Sequence, residues 1–196
     1  AEKNGVGIGA HPGFADLQGF GRFRLNIPIP TLQNQIRYQI GAAESMARAA
    51  GTQLRHIKLH GALSNMASED ERMACACYEA ALSVAPDLAI MVLAGTAQMG
   101  SVKHLGCKWV GEIFADRAYN DDGTLVDRSL AGAVIHDAAE AGTRIAKMIK
   151  EGAIITLSGK RIITEIHTIC LHGDTPEAIE IAKSVRSSLE ESGVGL

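Results

Sequence analysis

The stretch Ile166-His167-Thr168-Ile169-Cys170-Leu171-His172-Gly173-Asp174 passes from a β-branched apolar run into a base, a flexible backbone position and an acid. The same pattern recurs upstream. IGAHPGF releases His11, IKLHGALSN releases Lys58, His60 and Asn65, and VGEIFADRAY releases Glu112, Asp116 and Arg117. Imidazoles and carboxylates at such places can pass protons to and from a reacting group. Glu112 or Asp116 is a candidate general base toward water, and His11, His60 and His172 are candidate proton donors. Lys58 supplies a point charge and Arg117 a planar fork for an anionic group. The catalytic set is therefore Glu112, Asp116, His172 and Asp174, and the substrate-binding set is His11, Lys58, His60, Asn65 and Arg117. Three histidines, His11, His60 and His172, could instead ligate a divalent metal. Plainer readings stand beside these: Asp116 and Arg117 as a local ion pair, Asp174 as a helix cap, His172 as a turn residue.

These groups need elements to hold them. The runs 5–10, 55–60, 88–93, 108–115 and 166–172 are short and rich in Val and Ile, which predicts strands buried on both faces. Helical periodicity fills the gaps. Leu32, Ile36, Ile40, Ala43, Ala47 and Ala50 form one apolar stripe that stops at Gly51. Ser68-Glu69-Asp70-Glu71 has the form of a capping box, followed by a helix that Pro86 ends. A third helix is expected over 127–151, interrupted near Gly132 or Gly142. Thr175-Pro176-Glu177 opens a last helix that ends near Gly193. Residues 156–163 predict a hairpin turning at Ser158-Gly159. Strand-helix alternation implies a parallel sheet, whose carboxyl ends carry the binding groups. All the exits above then belong to one rim.

Composition narrows the function. The chain has 196 residues, 46% hydrophobic and 21% charged, with a net charge of -3. That fits one globular domain over 1–196 and gives no electrostatic case for nucleic acid. No apolar run approaches the ~20 residues of a membrane helix. The four cysteines lack the spacing of a zinc knuckle or a disulfide framework, so a cytoplasmic protein with reduced thiols is expected.

Five ordered segments, GVGIGAHPGFADLQGFGR, YQIGA, KLHGALSN, FADRAY and TICLHGDTPEA, carry a resemblance over essentially the whole chain. They resemble the LamB/YcsF family. The resemblance implies an α/β fold, a distorted seven-stranded β/α barrel of the glycoside hydrolase/deacetylase type. It also implies ATP-coupled opening of the lactam 5-oxo-L-proline to L-glutamate, in a complex with two other subunits, B and C. Two departures stand out. Nothing here corresponds to the family's opening strand and its Gly-Phe-His-Ala-Gly-Asp exit, so the barrel is expected to be incomplete at its amino-terminal side. Ser64 stands where the family often has tyrosine. No Gly-x-x-x-x-Gly-Lys-Ser/Thr loop occurs, since GAIITLSGKR has the wrong spacing, so ATP is expected on a partner or in another mode. The alternatives are a metal-dependent amide or N-acetyl hydrolase and a non-catalytic lactam-binding subunit.

Overall fold

The computed structural model of the protein describes residues 1–195. After a short 3-10 turn come β1 (Ile8–Ala10), α1 (Ile29–Ala49), β2 (Leu54–Lys58), α2 (Gly61–Glu69), α3 (Glu71–Leu82), β3 (Ala89–Leu93) and α4 (Ala97–Leu105). There follow β4 (Trp109–Phe114), α5 (Ala138–Glu151), β5 (Ala153–Ile155), β6 (Arg161–Ile163), β7 (Thr168–Cys170) and α6 (Ala178–Glu191). The chain forms two compact units. The first is built from 1–92 and 96–110, the second from 93–95 and the chain from Gly111 onward.

In the first unit β1, β2 and β3 run parallel, with Ala10 opposite Ile57 and Lys58 opposite Met91. The predicted stripe on α1 buries Leu32, Ile36, Ile40 and Ala47, and α1 packs against α3. Ile57, Leu63, Tyr78, Ile90 and Val102 complete this core. Cys77 lies in it, and burial pushes its thiol up to about 12, so it packs as a small apolar group. In the second unit β4 and β7 are parallel, with Glu112 opposite Thr168 and Phe114 opposite Cys170. Helices α5 and α6 pack on each other through Gly142. A Cβ there would lie 2.5 Å from Ser184 Oγ on α6, so the glycine permits close approach instead of breaking the helix. Strands β3 and β4 contribute to both units and are neighbours in each. Ile90 N–H donates to the Lys108 carbonyl in the first, and Ala94 N–H to the Glu112 carbonyl in the second. The strand order is β1-β2-β3-β4-β7.

All five predicted strands form, each shorter than its apolar run, and the 156–163 hairpin forms with Gly159 at φ 86°. Three expectations about helices are corrected. The cap of α3 is Asp70, whose carboxylate accepts the Arg72 and Met73 N–H groups. Ser68 lies buried inside α2 and donates to the Asn65 carbonyl. Helix α3 ends at Leu82, ahead of Pro86. Helix α5 starts only at Ala138, capped by Asp137 through Glu140 N–H at 2.7 Å. Residues before it form a loop, because Asp127 captures the Ser129 N–H and hydroxyl in a local turn that competes with helix, and Val134 bridges to Arg117. Helices α2 and α4 were not anticipated, being nine residues each and too short for a clear stripe.

Candidate active site

In the first unit the ends of β1 and β2 bring His11, Lys58 and His60 together. His11 Nδ1 lies 2.7 Å from the Lys58 carbonyl. A carbonyl only accepts, so Nδ1 carries the proton and the neutral ring's lone pair is on Nε2. The His60 ring meets the His11 ring edge-on at 4.9 Å between centroids and the Phe20 ring at 5.3 Å. Glycines make this crowding possible. A Cβ on Gly21 would stand 2.9 Å from His60 Nδ1, and one on Gly61, at φ 55°, would stand 2.5 Å from the Gly21 carbonyl oxygen. Phe20 has φ 54°, a strained backbone for a bulky residue that persists only when its surroundings fix it. Here Asp16 anchors both sides: its carboxylate accepts Gly19 N–H at 2.8 Å, and its carbonyl accepts Gly21 N–H at 2.9 Å. Arg22 lies 5.4 Å from the Phe20 ring centroid. Gln39 of α1 clamps the same loop, accepting Gly13 N–H at 3.0 Å and donating to its carbonyl at 2.8 Å. Asn65 is half-buried on α2. Its neighbour Ser64 accepts from the buried Gln98 side chain through both carbonyl and hydroxyl oxygens, at 2.7 and 3.1 Å.

In the second unit β4 and β7 deliver Asp116 and His172 to each other. His172 Nδ1 stands 2.7 Å and 3.0 Å from the two oxygens of Asp116. The Asp116 side chain is only 7% exposed, while the imidazole is half-buried beside the Phe114 ring at 5.6 Å. With Nδ1 donating to a carboxylate, Nε2 becomes the nitrogen that can accept a proton, and Asp116 holds the ring in orientation. Arg128 Nη2 approaches Nε2 at a long 3.4 Å. Glu112 is buried on β4, and Asp174 is exposed in the turn before α6. The residue capping α6 is Glu177, which makes no side-chain capping bond. Arg117, expected to bind an anionic group, is committed to loop carbonyls as well. Its buried guanidinium donates to the Val126 and Ala133 carbonyls, and burial first, then the Arg128 charge, lowers its pKa to about 10. It remains a cation at neutral pH and organises the loop.

Sequence reasoning missed Gln39, Phe20 and Arg128. The first two act through loop contacts with no local signal, and Arg128 lay in a segment read as helix. Among the described residues no three His, Cys, Asp or Glu side chains gather as a metal-ligand group, so His11, His60 and His172 do not assemble one. Nor is any described helix long and apolar enough to cross a membrane.

Parallel strands alternating with helices, with acid-base side chains at their carboxyl ends, define an α/β protein. The chain belongs to the LamB/YcsF family, which it matches over residues 1–196. It is 66% identical over 196 residues to the A subunit of 5-oxoprolinase from Ruegeria pomeroyi, covering 100% of this chain and 78% of that protein. To the A subunit of 5-oxoprolinase from Nitrobacter hamburgensis it is 45% identical over 197 residues, with 100% and 77% covered. The crystal structure of the lactam utilization protein from Thermus thermophilus superposes with a TM-score of 0.88 at 38% identity, covering 100% of this chain and 78% of that one. The α/β barrel-type fold class expected from the sequence is thus the fold of its relatives.

Proposed function

We propose that this chain is the A subunit of a 5-oxoprolinase, opening the lactam ring of 5-oxo-L-proline to L-glutamate at the expense of ATP, in the cytoplasm with two partner subunits. The observation that carries the reading is 66% identity across the whole chain to the A subunit of a 5-oxoprolinase. The Asp116–His172 pair supports a direct part in the chemistry.

An amide resists water because its nitrogen leaves poorly and resonance stabilises its carbonyl. Phosphorylation of the lactam oxygen makes C5 electrophilic. Water then adds to C5 as His172 Nε2 takes its proton, with Asp116 stabilising the imidazolium. That proton, passed to the ring nitrogen, lets the C5–N bond break so that the amine leaves and phosphate stays. The resulting acyl phosphate is hydrolysed by a second water to glutamate and inorganic phosphate. In the same unit as His172, Glu112 and Asp174 are further acid-base groups; in the first unit His11, Lys58, His60 and Asn65 form a separate set of binding groups. ATP is bound by a partner or in a mode other than the Walker loop.

The test is co-purification with both partner subunits and measurement of ATP-dependent glutamate release. Full turnover by the complex, with the chain alone inactive, is the expected result. Robust ATP-dependent release by the isolated chain would overturn the partner requirement, and a complex inactive on 5-oxo-L-proline would overturn the function.

A further inference from the structure

A cavity of about 550 Å³ opens in the second unit among α5, the residues after β4 and the end of β5. Its volume falls in the range of small-molecule sites. Its charged lining is Arg144, Lys147 and Glu140, all on α5, so two cations against one carboxylate leave a single positive charge. Ile135, Ile155 and Ala118 supply apolar wall, and Thr143 a hydroxyl.

Arg144 is unusual in its commitments. Nη1 donates to the Phe114 carbonyl at 3.1 Å and reaches the Ala115 carbonyl at 3.5 Å, which fixes the guanidinium against the end of β4. The same group lies 5.2 Å from the Tyr119 ring centroid. Tyr119 is itself immobilised, its hydroxyl accepting Phe114 N–H at 2.7 Å. Yet Nη2 is buried with no hydrogen-bond partner among the described residues. An unmet guanidinium donor carries a desolvation penalty that an oxyanion would relieve, and a rigid fork loses little entropy in meeting one. Burial already disfavours its charged form, as its lowered pKa records.

We propose that this cavity binds the carboxylate of a small monoanionic acid, with Arg144 and Lys147 as anchors and the apolar wall against the acid's carbon skeleton. The single net positive charge suits a monocarboxylate and fits a polyphosphate poorly, because Glu140 would repel further negative charge. Under the function proposed above, on which this last assignment rests, the acid is 5-oxo-L-proline. The carboxylate site itself does not depend on that reading.

Calorimetric titration of the full chain, with amide NMR shifts followed at Thr143, Arg144 and Lys147, tests it. Four probes are compared: 5-oxo-L-proline, 2-pyrrolidinone, cyclopentanecarboxylate and inorganic phosphate. The expected result is binding of 5-oxo-L-proline with shifts at those amides, at least tenfold weaker binding of 2-pyrrolidinone, which lacks only the carboxylate, and weaker binding of phosphate. Lys147 is exposed, so Lys147→Glu should keep the melting temperature and weaken the acid at least tenfold; Arg144→Gln should do the same if it folds. Equal binding of 2-pyrrolidinone, tighter binding of phosphate, no binding of any acid, or an unaffected Lys147→Glu variant would each overturn the site. Cyclopentanecarboxylate binding as well as 5-oxo-L-proline would leave the carboxylate site standing and count against the lactam assignment.

Discussion

His60 in the first unit and His172 in the second both leave parallel strands and are both followed by glycine, yet their surroundings equip them differently. His60 is packed by rings, with His11 and Phe20 edge-on around it, and the neighbouring His11 donates to a neutral carbonyl. His172 donates to a buried carboxylate. A carbonyl fixes a tautomer but does little for a positive ring, whereas a carboxylate fixes the tautomer and also stabilises the cation formed when Nε2 takes a proton. The residue type is shared by His11 and His172; a carbonyl partner in one and a carboxylate partner in the other equip only His172 to hold an added proton.

The sharpest way to break this contrast is His172→Gln in the reconstituted complex. Turnover should fall by roughly 10²- to 10⁴-fold with the melting temperature nearly unchanged, as for loss of a general base. Near wild-type turnover would reduce the pair to a structural contact. Asp116→Asn removes the orienting charge and favours the wrong tautomer, so a loss of up to about 10⁴-fold in kcat, with KM little altered, is expected from steady-state kinetics.

The glycine scaffold of the first unit gives an effect on folding instead. Gly61→Ala must accommodate both a left-handed backbone and a Cβ 2.5 Å from the Gly21 carbonyl oxygen, so urea unfolding should show a loss of about 2–3 kcal/mol. A neutral result would mean the His60 loop is less constrained than its packing indicates. Smaller and equal in the two units are the cap variants Asp70→Ala and Asp137→Ala. Each should cost about 1 kcal/mol and leave turnover intact. If Asp137→Ala lowered turnover as His172→Gln does, the distinction between support and chemistry in the second unit would fail.

The smallest effect concerns His56 on β2, whose pKa is lowered by burial first and by the Lys58 charge second. The unfolded chain therefore binds a proton here before the folded one does. Stability is unaffected by this group above its ordinary value of 6.5, and falls as pH drops through 6.5 toward the folded value. Acid unfolding of His56→Gln should begin at lower pH than wild type, and an unchanged onset would remove His56 from the account.

Local patterning was enough for the strands, the buried stripe of α1, the hairpin and the residue types at every strand exit. Apolar runs, 3.6-residue stripes and turn glycines report on their own neighbourhoods, so these features are legible without the fold. The start of α5 is not, because Asp127 and Asp137 look alike as caps, and the Asp127 turn together with the Arg117–Val134 bridge holds the intervening residues out of a helix. Nor does the chain's order of residues separate Arg117 from Arg144. One satisfies loop carbonyls and the other keeps a buried donor unpartnered, a difference made by groups brought near through folding. The same holds for Asp116 and His172, 56 residues apart, where the sequence offered either as an acid-base group. Only the pairing of β4 with β7 brought the carboxylate to Nδ1 and left Nε2 as the accepting nitrogen, because a proton's position on a ring is set by whichever acceptor the tertiary fold presents to it.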